Sequence, residues 1–165
     1  MREEPAIRPI RPEDNAALAD LVRASLQSYG LDIPGTAYFD PSLEALSRAY
    51  GQAGREYLVL TTGGRPVGGG GFAGIDLFPD CCELQKLYLA EEFRGLGLGH
   101  RLLREIEARA FASGYRQIYL ETHSLLREAL ALYARCGYRR IPRPEAVVHS
   151  AMDCFMLKKL SRENP

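Results

Sequence analysis

The sequence has little of what would point to a special partner or compartment. Its 165 residues carry 21 lysines and arginines against 21 aspartates and glutamates, so no net charge favours nucleic acid. No apolar run approaches the roughly 20 residues of a membrane-spanning helix. The first five residues lack the apolar core of a signal peptide. We therefore expect one cytoplasmic domain, 1–165, without a nucleic-acid or membrane partner.

The chain also lacks the cysteine spacing of a metal site or a redox motif. Its four cysteines, Cys81, Cys82, Cys136 and Cys154, include no C-x-x-C pair. Neighbouring Cys81 and Cys82 would point to opposite faces of a strand. We expect buried, reduced thiols and no metal. A covalent acyl carrier at Cys136 is the alternative, although nothing nearby in the sequence would activate its thiol.

No repeat, linker or low-complexity tract divides the chain, and hydrophobic periodicity alternates between strands and helices. Strands are predicted at 6–10, 57–60, 67–75, 81–89, 118–121, 138–141 and 152–160. Helices are predicted at 12–28, 42–50, 99–113 and 125–135. Four consecutive glycines, 68–71, would weaken the third strand but allow a backbone or a ligand to come close. The pattern indicates one mixed α/β domain.

A glycine-rich stretch at 94–99 is the most informative motif. It reads Arg-Gly-Leu-Gly-Leu-Gly, follows a predicted strand and precedes a predicted helix. Glycine has no Cβ, so a ligand can approach the backbone closely. The first N–H groups of a helix have no intrahelical partner, and the helix dipole makes that end positive. The stretch therefore predicts an anion site, most naturally for phosphates.

Two known phosphate loops do not fit this stretch. A P-loop has lysine and then serine or threonine after its last glycine, whereas His100 and Arg101 follow here. A dinucleotide-binding fingerprint reads G-x-G-x-x-G, whereas these glycines are spaced by two. The stretch instead resembles the R/Q-x-x-G-x-G/A loop of the GNAT superfamily of N-acetyltransferases, whose ligand is the pyrophosphate of acetyl-coenzyme A.

The resemblance extends over nearly the whole chain. Residues 7–14 look like the opening strand and helix start of many GNAT enzymes, and 87–89 like the end of their fourth strand. Residues 121–122 and 131–138 look like the fifth strand and the following helix. The resemblance implies a mostly antiparallel sheet of about seven strands, with the fourth and fifth splayed apart, flanked by about four helices. It also implies acetyl-coenzyme A as the acyl donor.

The resemblance further implies where the donor binds. The pantetheine arm would lie between the splayed strands beside Leu87, Tyr88 and Leu89, and the backbone of Leu87 and Leu89 would pair with it. The freed N–H of Leu89 would stabilise the developing oxyanion. The pyrophosphate would bind the loop, whose implied residues are Arg94, Gly95, Leu96, Gly97, Leu98, Gly99 and His100.

Glu83 lies eleven residues before Arg94, where several GNAT members carry a glutamate general base. An amine with a lysine-like pKa of about 10.4 is protonated at neutral pH and cannot attack until a base takes its proton. A carboxylate in a partly apolar cleft has a raised pKa that suits this role. Strand alternation puts Glu83 on one face with Gln85, Leu87 and Leu89. The alternative is a structural ion pair with Lys86, Arg116 or Arg140.

Tyr133 matches the tyrosine that protonates the leaving thiolate in this family. Its place on an apolar helical stripe also suits an ordinary core tyrosine. One departure concerns the position seven residues earlier, where many members carry a cofactor-binding asparagine and this chain has Leu126. That contact would be absent or supplied by Ser124 or Arg127.

Three residues are candidates for the acceptor side: His123, Arg127 and His149. His123 ends the fifth strand and would be a second base, a substrate contact or simply structural. His149 precedes the last strand, where related bacterial members have a His-x-x-Cys-Asp-like segment, and would line the acceptor pocket or cap a turn. Two loops, 31–41 and 142–150, would flank this side. Arg127, Arg143 and His149 hint at an acceptor that bears a carboxylate.

We therefore expect an acetyl-coenzyme A-dependent N-acetyltransferase that acts by direct attack of a primary amine in a ternary complex. A small molecule or an amino acid is the expected acceptor, since no acidic stripe would recognise a basic protein tail. The alternatives are a catalytically weak donor-binding or sensor module and a protein N-acetyltransferase. A nucleotide-binding regulator lacks a base-recognition element in this sequence. A homodimer is left open.

Overall fold

A seven-stranded sheet carries the fold, which the computed structural model describes for residues 3–162. Residues 1–2 and 163–165, which the predicted domain includes, lie outside the described residues. The strands are β1 (Ala6–Pro9), β2 (Arg55–Thr62), β3 (Arg65–Ile75), β4 (Cys81–Leu89), β5 (Gln117–Thr122), β6 (Arg139–Ile141) and β7 (Cys154–Lys159). The helices are α1 (Asn15–Ser28), α2 (Leu46–Ala49), α3 (Leu98–Ala112) and α4 (Arg127–Arg135). Short 3-10 turns lie at Pro12–Asp14, Ala37–Phe39, Pro41–Ala45 and Glu91–Phe93.

The strands lie in the order β1-β2-β3-β4-β5-β7-β6, and only β4 and β5 are parallel neighbours. The pairing of β4 with β5 covers three positions, from Cys81 opposite Gln117 to Glu83 opposite Tyr119. Both strands continue beyond that point without pairing to each other. The mixed α/β fold with a mostly antiparallel sheet is therefore confirmed, and a gap opens between the fourth and fifth strands.

Apolar side chains cover both faces of the sheet. In β2, Leu58 and Leu60 pack with α3 and α4, whereas Tyr57 and Val59 pack with α1 and α2. This alternation follows from the two-residue period of a strand. We call the first side the α3–α4 face and the second the α1–α2 face. A buried group of Cys81, Tyr119, Phe155 and Leu157 continues the α1–α2 side of the sheet beyond β4.

Two local predictions are wrong in instructive ways. The expected helix at 42–50 is a 3-10 turn followed by the single turn of α2, because Ala45 at their junction leaves the helical region with φ −138° and ψ 42°. The segment 61–66, left between the predicted strands 57–60 and 67–75, is mostly strand, and the turn within it is only two residues long. Gly63 and Gly64 both have positive φ, 57° and 72°, as a two-residue hairpin turn requires.

The glycine run at 68–71 allows the chain itself to come close. A Cβ at Gly71 would lie 2.5 Å from the carbonyl oxygen of Glu56 and 2.8 Å from the ring of Tyr57. A Cβ at Gly70 would lie 2.8 Å from Leu87 on the other face. These distances are shorter than side-chain carbons tolerate. The run is therefore explained by packing within the sheet, without a ligand.

Gly71→Ala should lower the free energy of unfolding by roughly 1–3 kcal/mol, because the backbone carbonyl of Glu56 cannot move aside without disturbing the β2–β3 ladder. Urea denaturation measures the change. Gly74→Ala in the same strand is the matched control: its new methyl would meet the hydroxyl of Tyr115 at 2.6 Å, at the far end of a half-buried side chain that can shift at the expense of one exposed hydrogen bond, to the Gly54 carbonyl. Equal losses in the two variants would contradict the packing explanation.

Among residues 3–162, no helix has the length and apolar character needed to cross a membrane.

Candidate active site

A β-bulge in β4 decides which side chains share a face. Between Gln85 and Tyr88, two residues of β4 lie opposite the single residue Gly70 of β3. One of the two, Lys86, has a φ of 51°, in the left-handed region. Its carbonyl oxygen accepts a 2.8 Å hydrogen bond from the buried hydroxyl of Tyr57, which holds the bulge in place. The inserted residue reverses the alternation of side chains along the rest of the strand.

The bulge corrects one prediction about the site. Leu87 and Leu89 pack on the α3–α4 face. Gln85 lies on the opposite face, where its Oε1 accepts a 2.6 Å hydrogen bond from the Tyr50 hydroxyl. Glu83, two residues before Gln85 and on the same face, is therefore not on the face of Leu87 and Leu89. The expectation of one shared face was wrong because it assumed an unbroken strand.

Beyond the bulge, β4 turns backbone groups into the gap. The N–H of Ala90 donates to the Val67 carbonyl at 2.8 Å, on the β3 side. Since neighbouring residues of a strand direct their backbone groups to opposite sides, the N–H and C=O of Leu89 face the gap. Tyr88 pairs with Gly69 of β3 and packs its side chain on the α1–α2 face. The Leu89 N–H thus borders the gap at the place where β5 no longer pairs with β4, and the Leu89 carbonyl oxygen accepts a hydrogen bond from Arg94.

The glycine loop ends at the first turn of α3 with open space in front of it. Gly95 and Gly97 have φ values of 72° and 76°, and a Cβ at either would meet nothing within 4 Å. Gly97 precedes the helix, and no side chain caps the first N–H groups. A Cβ at Gly99 would lie 3.4 Å from Leu132 of α4 and 3.8 Å from Leu89. The start of α3, α4 and the end of β4 therefore meet at one place.

The side chain of Arg94 holds this loop against the rest of the protein. Its Nε donates to the carbonyl oxygen of Leu89 at 3.1 Å, and its Nη1 donates to the Tyr29 hydroxyl of α1 at 3.3 Å. The guanidinium also lies 5.7 Å from the centre of the Tyr29 ring. Leu96 and His100 are exposed beside it, and Leu98 packs on the α3–α4 face. Arg94 thus ties the loop to β4 and α1.

Glu83 is a half-buried carboxylate without a cationic partner. Burial raises its pKa to about 7, repulsion by the Glu121 carboxylate adds to the rise, and a 3.2 Å hydrogen bond from Gln85 Nε2 opposes it. Within residues 3–162 no ion pair reaches Glu83. Lys86 instead pairs with Asp40 at 2.7 Å, and Arg116 donates to backbone carbonyls. The structural ion pair considered for Glu83 is therefore not formed.

Tyr50, Gln85 and Glu83 are linked by a chain of two side-chain hydrogen bonds. Because the Tyr50 hydroxyl donates to Oε1 of Gln85, the amide NH2 group of Gln85 is left to face Glu83. Sequence reasoning found Gln85 only as a neighbour in the strand. It missed Tyr50, which lies 35 residues away in the chain and meets Gln85 only in the folded protein.

A second carboxylate, Glu121, lies near Glu83 on the neighbouring strand. Tyr119 is opposite Glu83 in the last parallel pair, and its buried hydroxyl donates to Oε2 of Glu121 at 2.9 Å. Glu121 lies two residues further along β5, on the same face, where β5 pairs with β7 but no longer with β4. In the sequence analysis, Glu121 was identified only as part of the end of the fifth strand. Its electrostatic effect on Glu83 required the parallel register.

Tyr133 lies on the other side of the sheet from Glu83. It is 5% exposed and belongs to the α3–α4 face together with Leu87 and Leu89. Its ring centre is 5.6 Å from that of Tyr138, whose hydroxyl donates to Glu107 at 3.1 Å. Burial raises the pKa of Tyr133, and the nearby Tyr88 adds to the rise. A tyrosine in this environment stays protonated until a strong base takes its proton.

The other polar residues near the start of α4 stabilise the turn after β5. His123 Nδ1 accepts the N–H of Leu125 at 3.1 Å, and its Nε2 is 3.8 Å from Asp153. The Ser124 hydroxyl donates to Asp153 at 2.6 Å. Leu126 packs on the α1–α2 face. Arg127 is exposed at the first position of α4.

The two loops predicted to flank one side of the site do meet. Ala151 N–H donates to the carbonyl oxygen of Gly35 at 3.3 Å, and His149 is exposed nearby. Arg143 donates to the carbonyl oxygens of Val147 at 3.2 Å and Met152 at 2.8 Å. Its guanidinium is therefore used to hold its own loop, which removes one of the three residues that hinted at a carboxylate-bearing acceptor.

A basic cavity of about 510 Å³ lies between α3, the end of α4 and the strands β6 and β7. Its lining includes His100, Arg104, Arg135, Arg139, Lys158, Lys159 and a single acid, Glu107. Glu107 pairs with Lys158 at 2.8 Å. Cys136 also borders the cavity, and burial raises the pKa of its thiol, which disfavours a reactive thiolate. Sequence reasoning missed this cavity, although His100 and Arg104 are spaced as neighbours on one helix face.

The part of the chain that the structure describes contains no cluster of three or more histidines, cysteines or acids able to hold a metal ion.

Comparisons with known proteins identify the family of the chain. The model of the acetyltransferase (GNAT) family matches residues 18–138. Over 141 residues, the chain is 38% identical to the Escherichia coli K12 protein named uncharacterized N-acetyltransferase YjgM, and the match covers 84% of each chain.

Solved structures show the same fold. An acetyltransferase of the GNAT family from Staphylococcus aureus Mu50 superposes with a TM-score of 0.84 at 19% identity, covering 96% of this chain and 100% of that one. The PaiA N-acetyltransferase from Thermoplasma acidophilum, solved in complex with coenzyme A, superposes with a TM-score of 0.75 at 21% identity, covering 94% and 99%. With the family match and the E. coli relative, these findings show that the chain belongs to the acetyltransferase (GNAT) family.

Proposed function

We propose that this protein transfers the acetyl group of acetyl-coenzyme A to a small-molecule primary amine by direct attack in a ternary complex. Acyl transfer from acetyl-coenzyme A is the general activity that the family supports. The observation that carries the proposal is the gap beyond the Glu83–Tyr119 pair. The gap begins at Glu83, which has no ion-pair partner within residues 3–162, and reaches the Leu89 end of β4, where the glycine loop meets the start of α3.

The open space in front of α3 fits the donor's pyrophosphate. Gly95 and Gly97 leave room that a side chain would fill, and the uncapped N–H groups of α3 present positive charge there. The PaiA relative was solved with coenzyme A, which supports a coenzyme in this fold. The basic cavity beside His100 suits the remaining phosphate of the coenzyme. Arg94 contributes by holding the loop in position.

The residues around the gap match the steps of the reaction. Acetyl-coenzyme A supplies an activated thioester. Glu83 accepts a proton from the acceptor ammonium, directly or through water, and the amine lone pair then attacks the carbonyl carbon. The N–H of Leu89 stabilises the negative charge that develops on the carbonyl oxygen. The carbon–sulfur bond breaks as Tyr133 donates its proton to the departing thiolate. The acylated nitrogen loses its second proton to solvent, solvent returns a proton to Tyr133, and Glu83 releases the first proton to solvent, so that one proton is released per amide formed.

The proposal is tested by release of free coenzyme A from acetyl-coenzyme A in the presence of a panel of small amines. Direct attack predicts intersecting lines in double-reciprocal plots, because both substrates must be bound together. Parallel lines, together with an acetylated Cys136 in the intact-mass spectrum before acceptor is added, would indicate a covalent carrier instead. Binding of acetyl-coenzyme A without any turnover would favour a sensor module.

Tyr133→Phe should lower kcat by roughly 10²-fold, the lower end of the 10²–10⁴-fold range for general acid catalysis. The loss should be at this end because a thiolate leaves readily even without a proton. The KM for acetyl-coenzyme A should not change, because the ring remains in place. Tyr138→Phe is the matched control, since it removes a neighbouring hydroxyl that is committed to Glu107. Equal kcat values for the two variants would show that the Tyr133 hydroxyl takes no part.

A further inference from the structure

We propose that the acceptor is a small molecule with two positive charges, a primary amine that reacts beside Glu83 and a second cationic group held by Glu121. The inference rests on the proposed function, because it names the class of acceptor that enters the same gap. The gap is a substrate site on grounds other than its charge, namely the end of strand pairing after Glu83 and the membership of the chain in an acetyltransferase family.

The two carboxylates border the gap at a spacing suited to a short acceptor. Glu121 is two residues, roughly 7 Å of strand, beyond the position paired with Glu83. Both side chains lie on one face of the sheet. The Tyr119 hydroxyl fixes Oε2 of Glu121, which leaves Oε1 for a ligand. Within residues 3–162, no strand pairs with β5 on the β4 side at Glu121.

The charges around this space are unbalanced. In residues 3–162, neither Glu83 nor Glu121 forms an ion pair with lysine, arginine or histidine. Lys86 is on the same side and pairs with Asp40 at 2.7 Å, and its charge also lowers the pKa of Glu83. Arg143 stacks over the Phe155 ring at 4.8 Å and supplies one positive charge nearby. When both carboxylates are ionised, Glu83, Glu121 and Asp40 outnumber Lys86 and Arg143, and the site is net negative.

A second cation in the acceptor would remove this imbalance. Unpaired carboxylates in a partly buried site are unfavourable, and a ligand ammonium that hydrogen-bonds to one of them removes that cost. It also cancels the repulsion by which Glu121 adds to the effect of burial on the pKa of Glu83, so Glu83 ionises more readily with the acceptor bound. An acceptor with a carboxylate would instead be repelled. The inference therefore replaces the expectation of a carboxylate-bearing acceptor.

The test compares acceptors that differ only in the group at the far end. Straight-chain diamines from 1,3-diaminopropane to 1,6-diaminohexane are each measured against the monoamine of equal length and, for the four-carbon chain, against 4-aminobutanoate. The preferred diamine should exceed its monoamine in kcat/KM by roughly tenfold to a hundredfold, the usual range for hydrogen bonds to charged groups. The anionic acceptor should be the poorest. Equal values for every diamine and its monoamine would overturn the inference.

The variant Glu121→Gln tests whether Glu121 is responsible for the preference for diamines. The ratio of diamine to monoamine kcat/KM should fall close to one in this variant, while Glu105→Gln should keep the ratio of the unmodified protein. Glu105 is a carboxylate on α3, across the sheet, where it pairs with Arg109. Melting temperatures and acetyl-coenzyme A affinity establish that both variants are folded. An unchanged ratio in Glu121→Gln would overturn the assignment to Glu121.

A binding measurement separates this inference from the proposed function. Calorimetric titration of the protein loaded with coenzyme A should give a lower Kd for the preferred diamine than for its monoamine. If the diamine binds more tightly but no amine is acetylated, the proposed function is wrong, whereas the inference that the site binds a dication is supported. If monoamines are acetylated, and are bound as tightly as diamines, the proposed function is supported and the inference of a dicationic acceptor is wrong.

Discussion

Glu83→Gln should lower kcat/KM for the amine by roughly 10²–10⁴-fold, the usual contribution of a general base. The amide keeps the size of the side chain but cannot accept the ammonium proton. Affinity for acetyl-coenzyme A should not change, because Glu83 lies on the α1–α2 side of the sheet, away from the glycine loop at the start of α3. Steady-state release of coenzyme A and calorimetric titration with acetyl-coenzyme A measure the two quantities.

The pH dependence of this loss follows from the raised pKa of Glu83. Below about pH 7 its carboxyl group carries a proton and cannot take another, and above that value it is an effective base. The kcat/KM of the unmodified protein should therefore rise with pH through a midpoint near 7. Glu121→Gln should move this midpoint to lower pH, because it removes the repulsion that keeps Glu83 protonated.

The control for this experiment is Glu105→Gln, which makes the same change on an exposed carboxylate of α3. It should keep both the rate and the midpoint. A Glu83→Gln variant that retains the midpoint near pH 7 and most of its rate would make His123 or a water chain the better candidate for the base. His123 directly follows β5, and its Nδ1 accepts the backbone N–H of Leu125.

The strand β4 shows how far sequence reasoning can go. Its bounds, 81–89, were predicted correctly, because hydrophobic periodicity is a local signal. The bulge at Lys86 was not predictable, since it depends on Gly70 of β3 and on the hydroxyl of Tyr57. That one inserted residue moves Leu87 and Leu89 to the face opposite Glu83. The two-residue alternation of side chains holds along β4 except at Lys86, where the contact with Tyr57 stabilises an inserted residue.

The same limit applies to the electrostatics of the candidate site. Glu83 was recognisable as a candidate base from its position before the glycine loop. Its raised pKa comes from burial and from Glu121, 38 positions later in the numbering and adjacent only through the parallel pairing of β4 and β5. Similarly, Lys86 was a plausible partner for Glu83 until the fold paired it with Asp40. Local patterns identify candidate groups, and long-range pairing decides their charge.

Gly97→Glu should abolish binding of acetyl-coenzyme A. Gly97 has a φ of 76°, which side chains rarely adopt, and it lies directly before the first N–H groups of α3. A glutamate there would fill the open space, offer its own carboxylate to those N–H groups and repel phosphate. In the unmodified protein, acetyl-coenzyme A at 100 times its Kd should stabilise the fold by about 2.7 kcal/mol. The corresponding rise in melting temperature should disappear in the variant.

Gly114→Glu separates the loss of an anion site from backbone strain. Gly114 follows the other end of α3, has a φ of 103° and likewise has nothing within 4 Å of an added Cβ. The substitution therefore imposes comparable strain and the same added charge, but at the end of the helix where no phosphate is expected. It should lower the melting temperature without removing the rise caused by acetyl-coenzyme A. If both variants keep that rise, the donor does not bind at the start of α3. If both lose it, strain in α3 accounts for the effect.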